Sequence, residues 1–390
     1  MWLRAGVAEI RESIALRAFG ALLALTHAIT FYAWWTNKNL PAMFGNRPAT
    51  AICWPFFASC YRLHPISEGS VHVALIVYLV LAASSIALFA RRAWTTWAVI
   101  ALAAATLIKL AMFVFDYRLM GNYHYMPFVA TFAYLLCRQK ALVCRCLIVG
   151  FYISAGSLKL NWEWLSGAAL LKPPLITGWL GDVSLAYVVI LELVLVLGLL
   201  SRNRFILFGT LAQVVMFHAY SWHIVGYFYP CIMFCLLALF PLCYWEGEAQ
   251  PRRLTRSGWI ALGLYAAAQL APSLYPSDVA LTGEGRMFAV NMLDAKSECS
   301  LLEVTTRGNV HTERARLAPN LGVRIRCEPL VYFDLAQGAC RELDDGSDLD
   351  LALVGRRTTD TWFRSLVSAP NLCSRHLDYA VLHHNDWIDR

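Results

Sequence analysis

A few ionisable side chains sit inside or at the ends of long apolar runs, where a charge is expensive and is therefore usually paired or functional. They are His27, Lys109, Asp116, His124, Lys159, Glu192 and His218. Lys109 and Asp116 are seven residues apart and would share one helix face. A lysine amine in an apolar pocket loses hydration of its charged form, so it can serve as a base at neutral pH. Lys159 is the candidate for that role, in GFYISAGSLKLNWEWLSG, with His124 (in DYRLMGNYHYMPF) as its helper. Ala155 and Gly156 just before the lysine are small enough to admit another helix or a ligand. Trp162, Trp164 and Trp222 belong to an interfacial belt or wall a pocket for a flat ring.

These groups need a bilayer-spanning frame, and the composition supplies one. The 390 residues are 58% hydrophobic and only 15% charged, with a mean hydropathy of +0.51. Soluble domains are more charged and less apolar, and disordered chains less apolar still. About nine stretches approach the ~20 residues a spanning helix requires: 14–35, 71–90, 94–115, 123–139, 141–159, 185–200, 205–221, 223–244 and 257–275. The first is too long for a cleavable signal peptide and is expected to remain as a helix.

The net charge of +7 divides sharply. Residues 1–275 carry 20 Lys/Arg against 9 Asp/Glu, whereas residues 276–390 carry 13 against 17. The first part reads as a membrane domain and the second as a soluble one. Arg4, Arg11 and Arg17; Arg91 and Arg92; Arg138, Lys140 and Arg145; Arg202 and Arg204; and Arg252, Arg253 and Arg256 fall in alternate loops. Positive charge marks cytoplasmic loops, so the N-terminus is expected inside and residues 276–390 outside, in a bacterial inner membrane. The positive charge then records insertion topology, and no nucleic-acid partner is implied. Asp116, His124, Lys159 and His218 come to one depth near the outer surface.

The same topology sorts the cysteines. Cys53, Cys60, Cys299, Cys327, Cys340 and Cys373 would face an oxidising compartment, an even number that implies disulfides. Cys53 and Cys60 bracket one loop and are expected to pair; the other four leave three pairings open. Cys137, Cys144, Cys146, Cys231, Cys235 and Cys243 are expected to be free. The outer region alternates short polar and apolar runs, and MFAVNML, SLLEVTT, VRIRCEP and LVYFDL read as strands, with a helix near 359–367. The expected fold is mainly α, a polytopic transmembrane helical bundle, with a C-terminal extracytoplasmic β-rich or α+β domain.

The lysine segment resembles the A-G-x-x-K-L-x-x-x-W-x-x-G stretch of the vitamin K-dependent γ-carboxylase family, which includes bacterial proteins with the HTTM (horizontally transferred transmembrane) domain. NYHYMPFVATF and MFHAYSWHIVGYFYPCIMFCLLALF are similar to two further segments, in the same order, over residues 10–275. The resemblance implies a reduced quinone (vitamin K hydroquinone or menaquinol), O₂ and CO₂ as reactants and no metal. It makes Lys159 the base that deprotonates the quinol, which with O₂ gives an epoxide and a strong alkoxide base; that base takes a glutamate γ-proton before CO₂ adds. It places His124 beside this chemistry, and Asp116, Asn122, Trp162, Trp164, His218 and Trp222 around the pocket. Leu158 stands where the family has a further lysine, and Ser221–Trp222 where it has Asn-Ser. The chain also lacks the large lumenal region of the animal enzymes. The expected substrate is an exported or membrane peptide. The competing expectation is a non-catalytic factor for maturation or export of a secreted peptide. No internal repeat or pair of broken helices points to a transporter.

Overall fold

The computed structural model describes residues 2–37, 53–57, 68–119, 121–170, 172–247, 254–290, 297–315, 325–344, 346–375 and 377–389. Cys60, Arg252 and Arg253 lie outside the described residues, as do the tracts 291–296 and 316–324.

The N-terminal domain is helical. A short helix, α1 (Trp2–Glu12), leads into α2 (Ile14–Asn37), α3 (Glu68–Phe89), α4 (Thr95–Phe115), α5 (Asn122–Leu136) and α6 (Lys140–Leu158). One turn, α7 (Trp162–Leu165), precedes α8 (Trp179–Leu193), α9 (Arg204–Val225), α10 (Phe228–Leu237), α11 (Leu239–Trp245) and α12 (Arg256–Leu270). Among the described residues seven stretches are long and apolar enough to cross a bilayer: Ile14–Thr36, Gly69–Phe89, Arg92–Val114, Lys140–Leu158, Trp179–Leu200, Arg204–Val225 and Phe228–Trp245. The remaining two of the nine expected spans, α5 and α12, have 15 residues each, about 22 Å at 1.5 Å per residue, and fall short of that length. Many apolar side chains on α3, α8 and α9 point outward, as on a lipid-facing surface.

The basic loops gather at one end. Arg92 pairs with Glu12, and the backbone N–H of Lys140 donates to Glu9 at 2.7 Å. Ser13 and the N–H of Ile14 donate to Glu246. The N–H of Thr255 donates to Gln139 at 2.8 Å, and that of Arg138 to Ser257 at 3.3 Å. Both 15-residue helices run from this end to the other, where Tyr125 of α5 and Gln269 at the foot of α12 hydrogen-bond each other.

The C-terminal domain caps that far end. Its sheet is β1 (Ser297–Arg307), β2 (Val310–Ala315), β3 (Ser347–Arg357) and β4 (Arg364–Ala369), antiparallel throughout in the order β2-β1-β3-β4. Leu301, Leu349, Leu351, Leu353 and Val367 pack against Tyr332, Phe333 and Ala336 of a helix, α13 (Pro329–Glu342). The domain is α+β. SLLEVTT lies within β1 as expected. LVYFDL is instead the first half of α13: its run continues through AQGACRE, and the buried residues 332, 333 and 336 follow helical spacing behind Pro329 at the helix start. The helix expected near 359–367 is loop and β4, whose Leu366, Val367 and Ala369 enter the core.

Cys299 pairs with Cys327 and Cys340 with Cys373. Cys53 is disulfide-bonded; its expected partner, Cys60, lies outside the described residues. The six cysteines expected to be free form no disulfide among the described residues. Trp54 wedges between the two domains: its indole N–H donates to the Phe113 carbonyl at 2.7 Å, and its ring meets Tyr117, Ile325, Leu330 and Val331.

Candidate functional site

Helix α6 stops at Lys159, its C-cap, at the end away from the basic loops. Gly156, one turn earlier, has no side chain to hold α8 off. A Cβ there would lie 2.9 Å from the Glu192 Cβ and 3.0 Å from Leu193 Cγ. That close approach brings the Lys159 ammonium onto the Glu192 carboxylate as an ion pair, with side-chain exposures of 2% and 1%. The two charges are held among rings: Lys159 Nζ is 4.9 Å from the Trp164 ring centroid and 5.5 Å from that of Phe217. Trp164 is itself fixed. Asn161 caps α7 by accepting the Trp164 N–H at 2.8 Å, and the indole N–H donates to the Leu185 carbonyl at 3.1 Å.

Lys159 and Trp164 line a cavity of about 470 Å³ with Leu191, Phe217, Ser221 and Tyr229. Its walls are mainly apolar, as expected of a small-molecule site. Tyr187 of α8, bonded to Gln213 of α9, and Met216 also line it; Tyr187 and Met216 are 41% and 63% exposed. His218 lies fully buried behind this wall. Its Nε2 is 2.6 Å from the Tyr152 hydroxyl, and its ring meets Tyr229. His218 Nδ1 has no hydrogen-bond partner among the described residues.

The other expected site residues lie elsewhere. His124 is buried on α5 in a cage of rings from Trp34, Phe113, Tyr123 and Phe228, with centroids 4.8–6.0 Å away. It is not among the cavity's lining residues. Asp116 is buried at the C-cap of α4, where the chain turns extended, so the helical face it would share with Lys109 ends before it. Asn122, buried in the first turn of α5, lines a separate space of about 250 Å³ with Trp54, Tyr125 and Arg286. Trp162 and Trp222 are 69% and 46% exposed and face outward, as interfacial residues would. Of the three tryptophans, Trp164 alone lines the cavity. Glu192 and Tyr152 complete the site and were missing from the expected pocket. Glu192 had a visible signal, an isolated acid in LAYVVILELVLVLGLL; Tyr152 had none.

The C-terminal domain closes over α7. Glu163 accepts from Arg357 at 3.2 Å and from the Thr359 hydroxyl at 2.5 Å. Arg357 also grips Asp278 through two hydrogen bonds, at 2.6 and 3.0 Å. Burial pushes the Glu163 carboxyl upward, but these donors outweigh it and hold it below its ordinary value. Nearby, burial raises Glu328, and Arg286 and Tyr117 only partly oppose that. No family model, curated protein or solved structure matches the chain.

Proposed function

We propose that the chain is an integral-membrane enzyme of the γ-carboxylase type, which uses a reduced quinone and O₂, with CO₂ or another group added to an exported peptide. The observation that carries the reading is the Lys159–Glu192 pair on the wall of an apolar, ring-lined cavity. The space and its aromatic walls fit a flat lipophilic ring, and Lys159 is the cationic side chain lining it. Such a quinol supplies, with O₂, the strong base that proton abstraction from a glutamate side chain demands. The chain's part is to hold and move one proton. Shifting the shared proton from Lys159 Nζ to the Glu192 carboxylate leaves an amine and a carboxylic acid, both uncharged and suited to an apolar cavity. Nζ then has a lone pair to accept a hydroxyl proton, and the indole of Trp164 orients the amine. His218, through the Tyr152 hydroxyl, offers a second proton acceptor behind the wall.

The test is incubation of the purified chain with a reduced naphthoquinone and O₂, with epoxide read by mass spectrometry. Epoxide is expected from the wild type and its loss in Lys159→Ala. An Ala variant that turns over at the wild-type rate removes Lys159 from the mechanism, and no epoxide from any quinol removes the reading itself.

We infer further that α5 and α12 cross the membrane with the seven longer stretches, since both run from the basic end to the opposite one. Positive charge at that end puts it in the cytoplasm and the C-terminal domain outside. A C-terminal reporter active only in an oxidising compartment is expected to be active; activity only of a cytoplasmic reporter reverses the assignment.

A further inference from the structure

We propose that the membrane domain holds a second centre, around Lys109, that binds a small monovalent anion. Lys109 lies on α4 with 1% exposure. An ammonium has three donors and a full charge to satisfy. Among the described residues its one hydrogen bond goes to the Thr30 hydroxyl at 3.2 Å, and it sits 5.0 Å from the centroid of the Phe128 ring. Among the described residues no carboxylate pairs with it. Lys159, in equally apolar surroundings, has Glu192. A buried charge without a counter-ion is the arrangement proteins avoid most strongly, so the missing charge comes from a bound ion.

The groups around Lys109 are suited to receive an anion. Phe128 lies one turn beyond His124 on α5, and His124 Nδ1 is fully buried with no hydrogen-bond partner among the described residues. Thr106, one turn before Lys109 on α4, bonds His27 Nε2 at 3.2 Å, and His27 Nδ1 bonds the Tyr78 hydroxyl at 2.9 Å. Thr30 lies one turn beyond His27 on α2. One ammonium and one imidazole nitrogen with no hydrogen-bond partner among the described residues therefore lie where α2, α3, α4 and α5 converge, while the Thr30 and Thr106 hydroxyls donate to the Thr26 and Leu102 carbonyls. Trp34, Phe113 and Phe228 ring His124 at interplanar angles of 51–77°. With only an ammonium and an imidazole to offer, the centre suits a halide or a one-carbon or two-carbon carboxylate. The centre is separate from the Lys159 cavity and stands whether or not the quinol reading does.

Thermal unfolding of the purified full chain decides the matter, in sodium chloride, formate or acetate against sodium gluconate at equal ionic strength. A saturating rise in Tm with at least one of the three small anions is expected, because a ligand of the folded state stabilises it. Chloride alone acting marks a halide site; formate or acetate alone marks a carboxylate site. The rise is expected to vanish in Lys109→Met and to shrink in His124→Phe, which keeps the ring and stands as the second probe if the Met variant does not fold. No rise over gluconate with any of the three, or an equal rise in a folded Lys109→Met, overturns the proposal.

Discussion

Among single residues, Lys159 and Glu192 decide most. Neither is tolerable alone, because removing one partner of a buried pair leaves an uncompensated charge, at about 3–5 kcal/mol. Glu192→Leu is therefore expected to lower stability by roughly that amount, and Lys159→Met by a similar one. The double variant is expected to lose clearly less than the two together, as a double-mutant cycle by denaturant unfolding would show; strict additivity would mean the two charges do not interact. The sequence exposes both residues as charges in apolar runs. It does not expose their partnership, since they are 33 positions apart and their meeting depends on how α6 and α8 pack. Tyr152 beside His218 is hidden for the same reason. Trp162 and Trp164 are alike in type and two residues apart, yet one faces outward and the other covers Lys159, because Asn161 starts a helical turn between them.

Between elements, the contact of α6 with α8 rests on Gly156. A valine there must push α8 away, since even one added carbon would meet the Glu192 Cβ at 2.9 Å. Gly156→Val is expected to cost about 1–3 kcal/mol by overpacking and to separate Lys159 from Glu192. Turnover should then fall although every polar group of the site is retained. A Gly156→Val protein with wild-type turnover and stability would show that this contact does not set the site. The small pair Ala155–Gly156 was readable as a point of close approach; the identity of the approaching helix was not. LVYFDL teaches the opposite lesson, for its β-branched and aromatic composition favours a strand in a six-residue window, and only the longer periodicity reveals the helix.

For the molecule as a whole, charge asymmetry carried most of the legible information. It separated the two domains and grouped the basic loops that the structure gathers at one end. The seam between the domains was not legible, being built from Glu163, Arg357, Asp278 and Trp54 across long sequence separations. It should respond to pH. Burial pushes both Glu163 at the seam and Glu284, which accepts from Ser277 and Asn385 inside the C-terminal domain, upward, but their hydrogen bonds outweigh it and hold both below their ordinary 4.5. Their stabilisation is present above that value and is lost as pH falls through their folded values; Glu328, raised by burial, acts in the opposite sense. Tm is expected to fall from pH 7 to pH 3, with Glu163→Gln lowering Tm at pH 7 and flattening the fall. An unchanged slope in that variant would exclude Glu163 from the linkage. Tyr187 and Met216 line the cavity and are also exposed on the outside of the helical bundle between α8 and α9, so on the proposed membrane-spanning reading a ligand arrives sideways from the hydrocarbon. Occupancy would then follow the ligand's mole fraction among lipids rather than its bulk molarity, and diluting a fixed amount of ligand with more detergent or phospholipid would slow turnover.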